Sequence, residues 1–205
     1  MRKVIVSIAF LIFFISCKQE KKESSESVVE KIEMRESEWE ILFDGTSLDK
    51  WKEFQNDAVG DVWKIEGDVL IYTPPSEGEE KKNHDLVTRD EYTDFVLSLD
   101  WKISEAGNSG VFWGVNEDAK YGTGYQTGPE VQILDNDKHP DAKAGTTHQA
   151  GALYDMVSPA EDVTKPIGEW NTMVITVNHK VNMGNVILNG TEMVTFPVQG
   201  DEWDA

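Results

Sequence analysis

The sequence predicts an all-β domain in which two antiparallel sheets form a sandwich. Its apolar segments are short, they alternate with polar residues, and turn residues separate them. No stretch shows sustained helical periodicity, and no segment repeats with a period of about 20 to 50 residues. Together these observations favour a β-sandwich.

Turn residues divide the predicted strands from one another along the chain. Residues 63–65 and 69–72 flank Glu66-Gly67-Asp68, which has the composition of a hairpin turn. In residues 95–103 every odd position is apolar, so the even positions share the opposite, more polar face. The other predicted strands are residues 110–115, 130–134, 170–178, 186–188 and 191–196, and Asn189-Gly190 marks the hairpin turn before the last of them.

The N-terminal segment is predicted to be an export signal and not part of the fold. A basic pair precedes an apolar run over residues 4–15, which is too short for a membrane helix of about 20 residues. Residues 14–17 resemble the lipobox of bacterial lipoproteins, in which the cysteine is lipidated. We therefore expect a signal peptide at residues 1–16, lipidation of Cys17, and an exported protein anchored to a bacterial membrane, in the periplasm or at the outer membrane. An ordinary signal peptide cut elsewhere is the alternative.

The segment after the signal is predicted to be a disordered tether. Residues 17–37 are rich in Lys, Glu and Ser and contain few apolar side chains, so they cannot bury enough surface to fold. The folded domain is then expected at residues 38–205. Because Cys17 is the only cysteine, no disulfide can form within the chain, and the domain must depend on its core.

The charge of the chain excludes some classes of partner. It contains 38 acidic and 19 basic residues, with a formal net charge of −19 at pH 7. Such a charge argues against nucleic acid and against electrostatic binding to anionic lipid. Neutral sugars and cationic ligands remain compatible with it. The sequence carries no signal for an oligomeric state.

The predicted strand at residues 130–134 carries the strongest candidate site. Side chains alternate between the two faces of a strand, so Val131 and Ile133 should face the core while Glu130 and Gln132 face the opposite side. Gly128-Pro129 breaks the chain just before this strand. A strand holds such polar groups more rigidly than a loop, which favours a functional site here.

Motifs spread over the domain resemble those of the 3-keto-disaccharide hydrolase family. The resemblance is carried by residues 42–51 (LFDGTSLDKW), 108–112 (NSGVF), 128–136 (GPEVQILDN), 151–154 (GALY) and 168–171 (GEWN). It implies a concanavalin A-like jelly roll of two curved antiparallel sheets, with carbohydrate bound on the concave face. The family pattern also implies a C-terminal strand segment with an aromatic-Arg-Asn motif, which we expect this domain to lack. Many members have Arg shortly after the Asn-Ser-Gly turn, where this chain has Trp113-Gly114.

The reaction that the resemblance implies is cleavage of a 3-keto-glycoside by elimination and hydration. A ketone at C3 makes the C2 proton acidic, so a base can remove it while the C1 substituent leaves; water then adds back. The steps require a base, a polar group for the enolate and a donor for the leaving oxygen. Glu130 is the predicted base, and His148 is a predicted acid or ligand. Substrate contacts are predicted for Gln132, Arg89, Asp100, Lys102, Trp113 and Tyr154, with Trp113 as a sugar platform.

Each of these roles has a structural alternative. His148 lies in a polar loop and could be an ordinary surface histidine, and Tyr154 could be a core residue. Asp100 and Lys102 could form an exposed pair. Asp135 has the position of a turn cap for Asn136-Asp137.

Metal binding is weakly indicated. Asp135 and Asp137, with Glu130 and His148, could converge on a divalent cation, although their spacing is not diagnostic.

Two other functions share the predicted fold. Glu130-x-Gln132-x-x-Asp135 resembles, in degenerate form, the acid-x-acid-x-x-acid strand of retaining glucanases, but an amide replaces the central acid. A carbohydrate-binding domain without catalysis is the second alternative, because a fold alone does not decide function.

Overall fold

The computed structural model describes residues 39–76, 82–201 and 203. The predicted signal peptide, the lipidated Cys17 and the tether lie outside the described residues. The described residues from Glu40 onward belong to one compact unit. Within these ranges, no helix is long and apolar enough to cross a lipid bilayer.

Strands and short turns make up the regular structure, which confirms the predicted all-β class. The ten strands in the described residues are β1 (Trp51–Glu53), β2 (Trp63–Glu66), β3 (Val69–Tyr72), β4 (Leu86–Thr88), β5 (Phe95–Trp101), β6 (Asn108–Phe112), β7 (Glu130–Leu134), β8 (Asn171–Asn178), β9 (Met183–Leu188) and β10 (Thr191–Phe196). Three 3₁₀ turns in the same ranges cover Gly124–Gln126, Pro140–Lys143 and Thr146–His148.

The strands pair in antiparallel fashion in every sheet of the described chain. The largest sheet has the order β10-β9-β8-β5, and the pairs β6-β7, β1-β4 and β2-β3 form the other sheets. Strands β5 and β8 pair along their whole shared length, from Phe95 opposite Val177 to Trp101 opposite Asn171. This long ladder fixes which side chains of both strands face inward.

The hydrophobic core lies between the four-stranded sheet and the β6-β7 pair. Met173, Ile175 and Val177 alternate along β8 and are almost fully buried. Val131 and Ile133 of β7 belong to the same hydrophobic cluster. Burial of each such side chain contributes about 1.5–3 kcal/mol. Two antiparallel sheets enclosing one core make the fold a jelly-roll sandwich, as predicted.

The bounds of several strands agree with the sequence predictions. Both β7 and β10 have the predicted ends, and Asn189 (φ 50°) and Gly190 (φ 84°) form the predicted turn before β10, as a type I′ hairpin requires. The prediction for β6 was wrong at both ends, since the strand runs from Asn108 to Phe112. It stops early because Gly114 (φ 64°) turns the chain. Strands β1 and β4 have three residues each and were not predicted, because so short a segment shows no alternation.

Candidate active site

A cleft of about 550 Å³ lies beside the β6-β7 pair. Its size is within the range of small-molecule sites, roughly 300–1,000 Å³. The cleft is lined by Asn108, Phe112, Tyr125, Gly128, Pro129, Glu130, Gln132, Asp141, Tyr154 and Asp155. The alternation predicted for β7 is therefore confirmed: Glu130 and Gln132 line the cleft, whereas Val131 and Ile133 pack in the core.

Strand pairing places Glu130 in the middle of a row of side chains. Phe112 of β6 is opposite Glu130. On the other edge of β7, the segment 151–154 continues the sheet, and the Tyr154 N–H donates to the Glu130 carbonyl oxygen at 2.9 Å. Since opposing residues of antiparallel strands point to the same face, Phe112, Glu130 and Tyr154 lie side by side along the cleft.

The Glu130 carboxyl group accepts no hydrogen bond from the described residues, and its pKa is raised. No hydrogen bond among the described residues uses either of its carboxylate oxygens. Burial, followed by the negative charges of Asp85 and Asp141, raises the pKa of Glu130 to about 7. At neutral pH the group can therefore both accept and return a proton.

Four ionisable side chains form a connected group at the cleft, and three of them, Asp141, Tyr154 and Asp155, belong to its lining. His148 Nδ1 lies 2.8 Å from Asp141 Oδ1, and its Nε2 lies 2.7 Å from Asp155 Oδ1. The Tyr154 hydroxyl donates to the other oxygen of Asp141 at 3.1 Å. The hydrogen bond to Asp141, supported by Asp155, raises the pKa of His148, and the bond to His148 lowers the pKa of Asp141. The arrangement favours an imidazolium between two carboxylates.

His148 is beside the cleft but does not line it. Both of its ring nitrogens are occupied by carboxylates, so neither is available to protonate a substrate. The alternative of an ordinary surface histidine does not account for the packing of its ring against the Tyr154 ring, with centroids 4.4 Å apart. His148 thus contacts three residues of the cleft lining, Asp141, Tyr154 and Asp155.

Arg89 and Lys102, two of the predicted substrate contacts, lie outside the cleft lining. The Arg89 guanidinium donates to the backbone carbonyls of Asp49 and Asp57 at 3.0 and 2.7 Å. The Lys102 ammonium lies 4.9 Å from the ring centroid of Trp170. Both cations are thus engaged in contacts that stabilise loops.

Asp100 and Trp113 also lie away from the cleft lining. Asp100 accepts a hydrogen bond from the Thr172 hydroxyl at 2.6 Å on the exposed face of the four-stranded sheet. Trp113 stacks on Phe196, with ring centroids 5.6 Å apart, and packs against Trp203. The position of Trp113 in this aromatic group argues against its predicted use as a sugar platform.

The predicted cation ligands do not converge. The carboxylate of Asp135 is buried and accepts the backbone N–H groups of Ala106, Asp137 and Lys138 at 2.7, 3.1 and 3.2 Å. Asp137 is exposed. Within the part of the chain that the structure describes, no group of three or more His, Cys, Asp or Glu side chains could hold a metal ion. Asp135 thus acts as the turn cap that its position suggested.

Seven residues of the cleft lining were not predicted as site residues: Asn108, Phe112, Tyr125, Gly128, Pro129, Asp141 and Asp155. Asn108 and Phe112 belong to a motif that the sequence did single out, but only the register with β7 places them beside Glu130 and Gln132. Asp141 and Asp155 each lie seven residues from His148, one on each side. That symmetric spacing in a polar loop is the one signal that could have found them.

The structure is thus a jelly-roll sandwich with a cleft beside one of its sheets, and the cleft is of small-molecule size and lined by acidic side chains. Residues 38–205 match the family model of the 3-keto-alpha-glucoside-1,2-lyase-like domain, and the chain belongs to this family. The resemblance found in the sequence motifs is thereby confirmed.

Named relatives agree with this membership. A 3-keto-disaccharide hydrolase from Bacteroides thetaiotaomicron is 36% identical over 163 residues, or 71% of this chain. The match covers 56% of that relative, so the chain spans slightly more than half of its length. A crystal structure of a proposed glycosyl hydrolase from Parabacteroides distasonis is 30% identical, with a TM-score of 0.70 over 80% of this chain and 74% of that one. A second such protein from the same organism is 26% identical, with a TM-score of 0.51 over 72% of both chains.

Proposed function

We propose that this domain cleaves the glycosidic bond of 3-keto-glycosides, with Glu130 as the base that removes the C2 proton. The observation that carries the proposal is the environment of Glu130: its carboxyl group lines the cleft, no described residue donates a hydrogen bond to it, and its pKa is raised to about 7. A general base is most effective when its pKa lies near the working pH. Family membership and the name of the Bacteroides relative support the substrate class.

The reaction takes place in two balanced steps. Glu130 accepts the C2 proton, the C1–O bond breaks, and the bonding electrons leave with the aglycone oxygen, which takes up a proton. A double bond now joins C1 and C2 beside the ketone. In the second step water adds its hydroxyl to C1, and Glu130 returns a proton to C2. The sum of the two steps is hydrolysis.

Gln132 and Asn108 are suited to bind the oxygens of the keto sugar. Both line the cleft on the same face as Glu130. The Gln132 side-chain oxygen already accepts the Ile133 N–H at 3.0 Å, which leaves its amide N–H groups for a substrate oxygen. A neutral donor at the C3 oxygen would stabilise the enolate that forms when the C2 proton leaves.

The geometry disfavours the glucanase alternative. A retaining glycosidase needs two carboxyl groups about 5–5.5 Å apart across the scissile bond. Asp135, the second acid of the glucanase-like pattern, is absent from the cleft lining and is occupied by backbone N–H groups. The binding-domain alternative would use the same cleft and differs only in lacking turnover, so kinetics must separate the two.

The test compares a 3-keto-glucoside with its unoxidised parent, and follows release of the aglycone by the purified chain and by its Glu130→Gln variant. Release from the ketone alone, lost in Glu130→Gln and retained in Glu66→Gln, would support the proposal. Glu66 is an exposed acid at the end of β2 and gives the matched control. Release from both substrates would favour a glucanase, and sugar binding without release would favour a binding domain.

We also propose that the domain acts at a membrane surface, attached through lipidated Cys17. The support is the lipobox-like sequence at residues 14–17. Replacing Cys17 by Ser should move the protein from the membrane fraction of the producing cell to the soluble exported fraction. An unchanged membrane fraction would exclude the lipid anchor.

A further inference from the structure

Tyr154 lies opposite Glu130 across the edge of β7. Its N–H donates to the Glu130 carbonyl oxygen, and Leu153 pairs with Val131 next to it. Since Leu153 faces the core, Tyr154 faces the cleft together with Glu130. The cleft therefore presents a carboxyl group and a phenol side by side.

Asp141 holds the phenol oxygen of Tyr154 through a hydrogen bond. The hydroxyl donates to Asp141 Oδ2 at 3.1 Å, while Asp141 Oδ1 lies 2.8 Å from His148 Nδ1. Burial, followed by this bond to Asp141, raises the pKa of Tyr154 to about 12, so the phenol keeps its proton at neutral pH. The Tyr154 hydroxyl can therefore give up its proton only to a stronger base, such as the oxygen of a leaving aglycone.

His148 makes ionisation of Tyr154 less costly. Its two nitrogens lie 2.8 and 2.7 Å from the carboxylates of Asp141 and Asp155, which are distances of charge-assisted hydrogen bonds. Two carboxylates at these distances favour protons on both nitrogens, and the bond to Asp141, supported by Asp155, raises the pKa of His148 towards this cationic form. The centroid of the His148 ring lies 4.4 Å from that of the Tyr154 ring, so a positive charge there would stabilise a phenolate. The same charge makes Asp141 a weaker base, so Asp141 competes less with the substrate for the Tyr154 proton.

We infer that Tyr154 is a catalytic acid that protonates the leaving oxygen, and that Asp141 and His148 are positioning residues that act through it. The inference rests on the proposed elimination, and it assigns to Tyr154 the donor role that the sequence had suggested for His148.

The proton balance closes over the two steps. In the elimination, Glu130 gains the C2 proton while Tyr154 gives its hydroxyl proton to the aglycone oxygen as the C1–O bond breaks. In the hydration, the Tyr154 phenolate takes a proton from water as the hydroxyl adds to C1, and Glu130 returns its proton to C2. Both groups end in their starting states, and no other reactant is consumed.

The test varies the basicity of the leaving group. A 3-keto-glucoside of nitrophenol releases a stable anion that needs little protonation, whereas a 3-keto-disaccharide releases an alkoxide that needs a proton. General acid catalysis contributes about 10²- to 10⁴-fold. We expect Tyr154→Phe to lose about 100-fold or more in kcat on the disaccharide and less than about fivefold on the nitrophenyl substrate.

Tyr92→Phe is the matched control, because Tyr92 also donates to a carboxylate, that of Glu40 at 3.0 Å, but lies outside the cleft lining. It should leave kcat unchanged on both substrates. Equal losses of Tyr154→Phe on the two substrates, or no loss on either, would overturn the assignment. Failure of the unaltered protein to cleave either substrate would overturn the elimination, and the assignment with it.

The positioning residues should show the same selectivity in weaker form. Asp141→Asn and His148→Gln are expected to lower kcat on the disaccharide more than on the nitrophenyl substrate, with little change in KM. His179→Gln removes a comparable contact with Asp94, at 3.2 Å, away from the cleft, and should have no such effect. A loss that is independent of the leaving group would indicate that Asp141 and His148 only maintain the fold.

Discussion

The side chain of Glu130 lies across the backbone of Gly110 on the neighbouring strand. A Cβ atom built on Gly110 would overlap the Glu130 carboxylate and lie only 2.6 Å from its Cδ and 2.7 Å from its Cγ. In the β6-β7 register Gly110 is opposite Gln132, so the Glu130 side chain reaches it along the diagonal. Because the glycine of the Asn-Ser-Gly motif has no side chain, it leaves room for the carboxyl group of the proposed base.

Gly110→Ala should therefore damage activity more than stability. The backbone at Gly110 does not require a positive φ, so alanine is allowed there, but its methyl group must displace the Glu130 carboxyl group. Displacing a catalytic group by about 1 Å can lower turnover about 100-fold. We expect a loss of kcat of this order with only a small change in melting temperature.

Gly122→Ala provides the control for this substitution. A Cβ at Gly122 would meet only Gln126 Oε1, at 3.9 Å, so it should leave both kcat and melting temperature unchanged. Unaltered kcat in Gly110→Ala would show that the carboxyl position seen here is not the one used in the reaction.

The activity should increase with pH through the ionisation of Glu130. Burial, then Asp85 and Asp141, raises the pKa of Glu130 to about 7, and only the ionised form can accept the C2 proton. We expect kcat/KM to rise to a plateau above about pH 7. Asp85→Asn removes a negative charge and should move the midpoint to lower pH, whereas Asp137→Asn, at an exposed acid outside the cleft, should not. A midpoint that stays in place in Asp85→Asn would assign this ionisation to another group.

The same carboxyl group should make stability depend on pH. Because the pKa of Glu130 is raised on folding, the folded protein binds more protons than the unfolded chain between about pH 4.5 and 7. The contribution of this group to stability is present at acid pH and lost as the pH rises through about 7. Glu130→Gln should then gain stability relative to the parent at pH 8 but not at pH 4, by on the order of 1–2 kcal/mol after solvent screening. Denaturant unfolding at both pH values measures the difference, and an equal effect at the two would contradict it.

The strands of this domain could be predicted more fully than its site, for a physical reason. Alternation along β7 indicates which residues leave the core, and Glu130 and Gln132 were found in this way. A sandwich has two outward faces, however, and alternation along β5 does not say which of them carries the cleft. Asp100 was therefore placed on an outward face correctly, but it lies outside the lining of the cleft.

Contacts between distant segments explain the other differences. The row of Phe112, Glu130 and Tyr154 depends on the register of three chain segments, which hydrogen bonds across loops determine. Trp113 follows the end of β6, and the turn at Gly114 together with the packing of Phe196 directs it to an aromatic group and not to the cleft lining. None of these contacts has a signature in local sequence.

We expect Tyr125, and not Trp113, to provide the aromatic surface on which a sugar stacks. It lies on the 3₁₀ turn Gly124–Gln126, lines the cleft, and is 68% exposed. Stacking on an aromatic ring contributes about 0.5–1.5 kcal/mol. Tyr125→Ala should raise KM about 3- to 10-fold, and Tyr125→Phe, which keeps the ring, should not. A KM that rises equally in both variants would attribute the contact to the hydroxyl group.

Substitutions of Asp135 can distinguish its role as a turn cap from a role as a cation ligand. Its buried carboxylate accepts three backbone N–H groups, and leaving such buried groups unpaired costs about 1–3 kcal/mol each. Asp135→Ala should lower the free energy of unfolding by at least about 2 kcal/mol. Asp135→Asn should lower it less, because the amide oxygen still accepts one or two of these bonds. If Asp135 instead bound a divalent cation, the unaltered protein would lose comparable stability in a chelator and both variants would become insensitive to it. We expect the destabilisation of Asp135→Ala to be the same with and without chelator.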